Sequence, residues 1–373
     1  MTRLRQALDG IAAEAPLVNL ADAAIARHRR RRLVTTSLAT VALAGVMGAG
    51  GVVMATPWRP AAEPAVQVAP TAPTAPTVPT VPAVDRAAVV ADLPEGPVGR
   101  LSHAYQATCE TGCDDAEWRV VTSDGKTYRV PRALARTAGR PAVPVAISRS
   151  GRALAYYSRE AQAHVVRDME TGAEVVSPVK VPEAEIPRGA MLLVSDDGRY
   201  VAFDDPQEFG DYPGVLIDTR TGERTMLKRD FEPVAIKDGV LELVRPVKTD
   251  LWLMPVTGGG EPVRFDGVFV RFSEVAPDGR TVVALDMTGT PKQEPVLTVL
   301  DAKTGKALRK VPAPALAVDL MPTVWLSDTE VTVRNGAPGG RLYAVDITTG
   351  KARPLADHGE VLHLTLPGRA TSS

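Results

Sequence analysis

Cys109 and Cys113 are the only cysteines of this 373-residue sequence, and they flank the tripeptide Glu110-Thr111-Gly112. Two thiols this close in the chain pair readily in an oxidising compartment, and Gly112 helps so tight a loop to close. A structural zinc site would need a second pair of Cys or His ligands, and the sequence contains none at suitable spacing. We therefore expect a Cys109–Cys113 disulfide rather than a metal or redox centre.

No other group of residues has the spacing of a reactive site. The histidines are scattered, without metal-ligand spacing, at His28, His103, His164, His358 and His363. Motifs for a nucleophilic serine elbow, a phosphate-binding loop or a dinucleotide-binding turn are absent from the sequence. We therefore expect no catalytic residue, no cofactor and no bound metal.

One acidic segment, FDDPQEFGDYPG, groups the carboxylates of Asp204, Asp205, Glu208 and Asp211. Carboxylate oxygens suit Ca²⁺, so a calcium loop is one interpretation. Prolines interrupt the segment, however, and its spacing does not match an EF-hand. A solvated loop whose aromatic residues are available to a partner is the favoured interpretation.

A second set of carboxylates recurs in the motif Asp-x-x-Thr-Gly, at Asp168, Asp218, Asp301 and Asp346. An aspartate at the start of a hairpin loop accepts hydrogen bonds from the N–H groups of that loop. Because the motif repeats at the same position of successive hairpins, we expect these four residues to stabilise turns rather than to catalyse a reaction.

These hairpins belong to a longer repeat. Short Val-, Leu- and Tyr-rich runs alternate with turn signals of two interleaved kinds, Asp-Gly or Ser-Gly and then mostly Thr-Gly. Each unit contains a strand, a tight turn, a strand, a longer loop, a strand, a second tight turn and a strand. Four strands at a period near 45 residues are typical of the blades of a β-propeller.

The turn motifs also resemble those of a known family. S-D-D-G-R-Y-V-A-F and A-P-D-G-R-T-V-V-A-L are similar to the "SPDGRxLAF" core of the WD-repeat-like, TolB-like propellers. The resemblance extends over roughly residues 86–366 and implies a propeller fold. It does not imply one function, since this fold supports many unrelated activities.

Five consecutive blades are predicted at residues 143–183, 189–229, 231–266, 268–312 and 319–357. A sixth combines the strands of RLSHAYQATC and EWRVVTSDGKTYRVP with VLHLTLP near the other end of the chain. Joining both ends in one blade closes the ring and protects its strand edges. The prediction is an all-β, six-bladed propeller, with seven blades as the alternative if 86–100 contains a further strand pair.

A membrane anchor precedes the propeller. Residues 33–55 contain no charged side chain, and residues 1–32 contain seven arginines and three acidic residues. A helix of about 20 apolar residues spans a bilayer, and the arginines favour a cytoplasmic N-terminus. The competing interpretation is a cleaved signal peptide; both export the rest of the chain.

The chain composition resembles that of actinobacterial proteins.

The predicted organisation has five segments: a cytoplasmic head (1–32), a transmembrane helix (33–55), a Pro/Thr-rich stalk (56–85), the propeller (86–367) and a tail (368–373). In the stalk, proline at every third position favours an extended polyproline rod. The expected location is therefore the cell membrane, with the propeller outside.

The head carries an apolar stripe at helical spacing, Leu4, Leu8 and Ile11. A basic helix lying on anionic lipid is one interpretation. The other is a docking helix for a cytoplasmic protein, because such i, i+4, i+7 residues occupy hydrophobic grooves. The head resembles those of actinobacterial membrane proteins found with sigma factors, although it lacks the zinc-binding residues of many anti-sigma domains.

The sequence favours a non-catalytic role for the exported part. We expect it to bind an unidentified protein or small ligand at one face of the propeller. A transmembrane regulator that contacts a sigma factor or similar protein is one alternative, and a small propeller lyase or hydrolase is another. The net charge of −1 gives no sign of nucleic-acid binding.

The anchor prediction can be checked by N-terminal sequencing of the protein isolated from membranes. We expect the sequence to begin before residue 33, because a charge-free segment of 23 residues is long for a signal peptide. A mature N-terminus at or near Thr56 would show instead that the segment is cleaved.

Overall fold

The computed structural model describes residues 90–107, 116–137, 142–186, 190–204, 214–245, 249–286, 296–313, 320–335, 340–359 and 361–369. These residues form six antiparallel four-stranded sheets and one 3-10 helix, Glu183–Glu185. The prediction of an all-β, six-bladed propeller is therefore confirmed, and residues 90–100 add only an isolated bridge between Asp92 and Arg129.

Strands are numbered in chain order and blades from the N-terminal side. Blade 1 contains β1 (Leu101–Ala107), β2 (Glu117–Thr122), β3 (Thr127–Arg129) and β24 (Leu362–Thr365). Blade 2 contains β4 (Ala146–Ile147), β5 (Ala153–Ser158), β6 (Ala163–Asp168) and β7 (Glu174–Lys180). Blade 3 contains β8 (Met191–Val194), β9 (Tyr200–Asp204), β10 (Val215–Asp218) and β11 (Arg224–Met226).

The other three blades follow the same plan. Blade 4 contains β12 (Glu232–Lys237), β13 (Val240–Arg245), β14 (Asp250–Pro255) and β15 (Val263–Arg264). Blade 5 contains β16 (Phe269–Val270), β17 (Thr281–Asp286), β18 (Val296–Asp301) and β19 (Ala307–Pro312). Blade 6 contains β20 (Leu320–Trp325), β21 (Glu330–Asn335), β22 (Arg341–Asp346) and β23 (Ala352–Asp357).

The middle strands are buried on both faces because each blade packs between two others. Every residue of β5 is buried, whereas the outer strand β7 is largely exposed. The apolar clusters accordingly span neighbouring blades; in one of them, Trp118 of blade 1 packs with Leu154 and Tyr156 of blade 2. Apolar side chains buried between blades are the main source of stability in such a ring.

The ring is closed by the two ends of the propeller. β24 pairs with β1 through Ala104↔Thr365 and Gln106↔Leu362, so VLHLTLP lies in blade 1 as predicted. The sheet order is β24-β1-β2-β3. Because the strands alternate in direction, both tight turns of a blade lie on one face of the ring, which we call the turn face.

The second turn of several blades lies directly against the preceding blade. A Cβ atom built on Gly305 of blade 5 would collide with the carbonyl oxygen of Arg264 in blade 4, and one on Gly350 would collide with that of Pro312. The Thr-Gly signal predicts a left-handed turn residue, and φ is +71° at Gly305. The close approach between blades is a further requirement that the turn pattern does not reveal.

The described residues contain no helix long and apolar enough to cross a membrane. The predicted anchor (33–55), the stalk and the Cys109–Cys113 disulfide lie outside the residues that the structure describes. The same holds for Leu4, Leu8 and Ile11. These proposals remain predictions from the sequence.

The interblade contact at Gly305 predicts a specific effect on stability. Gly305→Ala should lower the free energy of unfolding by about 2–4 kcal/mol, because left-handed strain and a backbone clash add. Gly279→Ala is the matched control: its φ is +68°, and its Cβ would meet open space. It should cost about 1 kcal/mol. Denaturant unfolding measures both, and equal losses would contradict the proposed contact.

Candidate functional site

The four repeated aspartates occupy equivalent turns. In each, the Oδ1 atom accepts hydrogen bonds from the backbone N–H groups two and three residues later, as at Asp168, Asp218, Asp301 and Asp346. In three blades the arginine after the first turn pairs with this aspartate: Arg152 with Asp168, Arg199 with Asp218, and Arg280 with Asp301. The two tight turns of one blade are thereby linked.

These carboxylates do not come together in one site, since each belongs to a different blade. The Arg280 guanidinium and the loop N–H groups hold the pKa of Asp301 at about 2, although burial opposes this shift. Such a carboxylate stays ionised at neutral pH and already has its partners. Its geometry suits turn stabilisation.

A different cluster forms on the turn face, in a cleft between blades 4 and 5. The cleft has a volume of about 180 Å³. Its apolar walls are formed by Ala235, Val240, Leu253, Val275, Ala276 and Pro277. Lys237, Asp238 and Glu242 also line it. Pockets with apolar walls and a few placed polar groups are typical of ligand sites.

The local sequence explains why these side chains share one wall. Asp238 and Gly239 both have positive φ, +50° and +75°, which is the geometry of a two-residue hairpin turn. The turn pairs Lys237 with Val240 and Ala235 with Glu242. Because strand side chains alternate, all four project toward blade 5. The residues between them, including Ile236 and Leu241, pack on the blade 3 side.

The backbone of Val275 connects the two polar groups, Lys237 and Glu242. Its N–H donates to Glu242 Oε2 at 2.8 Å, and its carbonyl oxygen accepts from Lys237 Nζ at 3.1 Å. Glu242 is 3% exposed, and its Oε1 atom has no hydrogen-bond partner among the described residues. The cleft therefore contains a buried carboxyl group with one unused oxygen.

Burial raises the pKa of Glu242 to about 8; the nearby Glu274 also raises it, while the Val275 N–H, Arg369 and Lys237 oppose this. Glu242 is thus protonated at neutral pH. Oε2 accepts the Val275 N–H, so Oε1 carries the proton and is a free donor. Because the carboxyl of the unfolded chain has its ordinary pKa of 4.5, folding stability falls as the pH rises from 4.5 toward 8.

A network of charges lies beside the cleft, at the centre of the ring. Arg149 of blade 2 reaches across to blade 5, where its Nε atom donates to both carboxylate oxygens of Glu274 at 2.7 and 3.0 Å. Its Nη2 atom donates to the Trp325 carbonyl of blade 6 at 2.7 Å. Glu274 also accepts the Trp325 backbone N–H at 3.0 Å. These bonds connect three blades.

The C-terminal segment adds a second arginine to this centre. Gly368 donates its N–H to the Ile147 carbonyl at 2.9 Å, and Arg369 Nη1 donates to the Phe272 carbonyl at 2.8 Å. Burial lowers the pKa of Arg369 to about 10. Its guanidinium remains positive at neutral pH, and it contributes positive charge next to Glu242.

Two histidines meet where blade 6 joins blade 1. The rings of His103 and His358 lie 4.4 Å apart between centroids, and both are buried. Burial lowers the pKa of His103 to about 3 and also lowers that of His358. Both imidazoles are therefore neutral at neutral pH. The described residues contain no group of three or more metal-binding side chains.

No sequence motif predicts a site at Glu242, Lys237, Arg149 or Glu274. One signal was available: Glu242 interrupts the apolar run Val-Leu-Glu-Leu-Val at a strand position that should face a neighbouring blade. Of the acidic segment, the described part ends at Asp204. Its other carboxylates lie outside the described residues.

The fold and this site define a six-bladed β-propeller with a charged centre and, on its turn face, an apolar cleft that contains a few polar side chains. No family model and no curated protein matches the chain. The structural neighbours do include TolB propellers, the type to which the turn motifs are similar.

TolB from Acinetobacter baumannii has 18% identity and a TM-score of 0.47, covering 72% of this chain and 66% of that one. The chain thus spans just under two thirds of that structure. A putative TolB from Agrobacterium tumefaciens has 14% identity and a TM-score of 0.42, covering 74% and 98%. An oligogalacturonate lyase in complex with manganese has 14% identity and a TM-score of 0.44, covering 65% and 71%. The six-bladed architecture rests on the strand pairing above.

The central ion pair predicts a large effect of removing its arginine. Arg149→Met should lower the free energy of unfolding by about 2–4 kcal/mol, because Glu274, whose side chain is 2% exposed, would remain buried with its charge uncompensated. The control is Arg353→Met, which removes a surface pair with Glu330 and should have little effect on stability, because water screens exposed ion pairs. Denaturant unfolding compares them, and similar losses would refute a stabilising role for the central pair.

Proposed function

We propose that this chain is a membrane-tethered, non-catalytic binding protein whose propeller lies outside the cytoplasmic membrane and holds a ligand in the cleft between blades 4 and 5. The unused Oε1 atom of Glu242 carries this proposal. A buried polar atom without a partner costs free energy, and a ligand that satisfies it recovers that cost. The cleft leaves room for such a ligand.

Binding rather than catalysis is supported by the lining of the cleft. Most of its walls are apolar, and its two central polar side chains, Lys237 and Glu242, are both hydrogen-bonded to the backbone of Val275. Groups held in this way provide oriented donors for recognition. A protein partner at the turn face would cover the same cleft.

The tether is supported by the sequence. Residues 33–55 are free of charge, and Arg29 to Arg32 immediately precede them. This pattern favours an anchor with a cytoplasmic N-terminus. A transmembrane regulator is a second candidate, because the stripe Leu4, Leu8 and Ile11 is more apolar than a topology signal requires.

The ligand site can be tested with the full chain in detergent. Ligand-observed NMR with a panel of small anions, cations and neutral molecules should detect binders of the wild type. Val240→Trp should remove their signals, because the indole would fill the cleft that Val240 lines. The affinity should fall at least tenfold, which is the effect expected when a few carbon atoms of the ligand are no longer buried.

Met226→Trp provides the control. Met226 lies on the outer strand of blade 3 and is 57% exposed, so a tryptophan there adds the same aromatic surface away from the cleft. Binding should persist in this variant. If no member of the panel distinguishes Val240→Trp from Met226→Trp, the cleft is not the ligand site and the proposal is wrong.

A further inference from the structure

We propose that the ligand of the cleft is a small carboxylate with an apolar body, one of whose oxygens accepts the Glu242 Oε1–H while the other accepts an N–H of Lys237. This inference rests on the proposed function and specifies the chemical class of the ligand. It is carried by two polar side chains, Glu242 and Lys237, that line one apolar cleft, and by the Glu242 oxygen that has no partner among the described residues.

The first donor is the Glu242 carboxylic acid. Since Oε2 accepts the Val275 N–H at 2.8 Å, the proton of the neutral acid resides on Oε1, which has no partner in the described part of the chain. An O–H group that donates to a carboxylate forms a short, charge-assisted hydrogen bond. Neutral Glu242 can therefore donate to a ligand carboxylate at neutral pH without a change in its own protonation.

The second donor is Lys237. Its Nζ atom makes one described hydrogen bond, to the Val275 carbonyl, and an ammonium group has three N–H donors. Glu242 and Lys237 bind the N–H and the carbonyl of one residue, Val275, so the two donor side chains lie beside each other on the cleft wall. Two neighbouring donors can bind the two oxygens of one carboxylate.

The surrounding charges favour an anion over a cation. The charged and titratable groups that act on Glu242 are Lys237 of blade 4, Glu274 of blade 5 and Arg369 of the C-terminal segment. Glu274 is already bonded to Arg149 and the Trp325 N–H. Asp238 is exposed at the mouth, where water screens its charge. A cationic ligand would have to ionise Glu242 and would meet Lys237.

The size of the cleft limits the body of the ligand. A cavity of about 150 Å³ accommodates a benzene ring, and this cleft measures about 180 Å³. An aromatic or short branched aliphatic carboxylate therefore fits. Its apolar body would pack on Leu253, Ala276 and Pro277.

The test uses three probes that share one ring: benzoate, benzylamine and benzyl alcohol. Each is titrated calorimetrically into the full chain at pH 6.5, up to about 10 mM, since very small ligands bind weakly. Benzoate should bind at least tenfold more tightly than either of the others. If benzylamine or benzyl alcohol binds more tightly than benzoate and this binding is lost in Val240→Trp, the carboxylate inference is overturned and the ligand site stands. No binding by any probe would overturn the carboxylate inference, whereas the ligand site itself is decided by the wider panel and the Val240→Trp variant.

The two donors are tested separately. Lys237→Met should weaken benzoate at least tenfold and leave benzyl alcohol nearly unchanged. Lys126→Met is the matched control, because Lys126 is an exposed lysine beside a tight turn of blade 1; it should change neither. Benzoate affinity that is indifferent to Lys237→Met would refute the proposed contact.

Titration of Glu242 gives an independent readout. Wild-type affinity for benzoate should be constant from pH 6 to 7 and fall about tenfold by pH 9, as Glu242 loses its proton. Glu242→Gln keeps a neutral N–H donor, so it should retain benzoate within a few-fold and lose this pH dependence. A wild-type affinity that does not change between pH 7 and 9 would show that the Glu242 proton is not used.

A polypeptide C-terminus carries the same carboxylate, and the source can be distinguished. Acetyl-alanyl-valine with a free C-terminus is titrated beside benzoate, together with its C-terminal amide. We expect the peptide acid to bind no more tightly than benzoate, because the cleft has room for one small body. Tenfold tighter binding of the peptide acid would identify a protein terminus as the ligand and overturn the small-molecule assignment.

Discussion

The pairing of β24 with β1 is the interaction on which the ring depends. Without it, blade 1 would expose the inner edge of β1, and blade 6 would lose the surface against which it packs. The same segment then continues to Gly368 and Arg369, whose bonds to Ile147 and Phe272 bring the end of the propeller to blades 2 and 5. The segment that closes the ring therefore also contributes Arg369 to the charged centre. The neutral histidines His103 and His358 lie at this junction.

The centre shows how the protein distributes buried charge. Glu274 is compensated by Arg149 and by the Trp325 backbone N–H, as expected of a carboxylate that is almost fully buried. Glu242 is compensated only in part, and it remains neutral because burial raises its pKa to about 8. A perturbed carboxyl in a cleft is typical of functional sites.

The repeated turn aspartates stabilise the fold, and the proposed ligand cleft is formed by other residues. Asp168, Asp218 and Asp301 each bind their own turn and an arginine of the same blade, so they act locally and identically in successive repeats. The cleft lies between blades 4 and 5, where the hairpin at Asp238-Gly239 places a lysine and a glutamate on one wall. A repeat fold keeps its turns alike and varies the side chains between them, which is how a propeller acquires one specific site.

The sequence alone predicted six blades, with seven as the alternative, together with the strand order and the closing strand, because these follow from local turn chemistry, a fixed period and closure of the ring. All five predicted repeat ranges contain the four strands found there. It did not determine the site. Arg149 and Glu274 are 125 residues apart, and no local pattern connects them. Glu242 was visible only as a charge within an apolar strand. Its pKa, its unused oxygen and its distance from Val275 arise where two blades meet, and such contacts depend on tertiary packing rather than on strand periodicity.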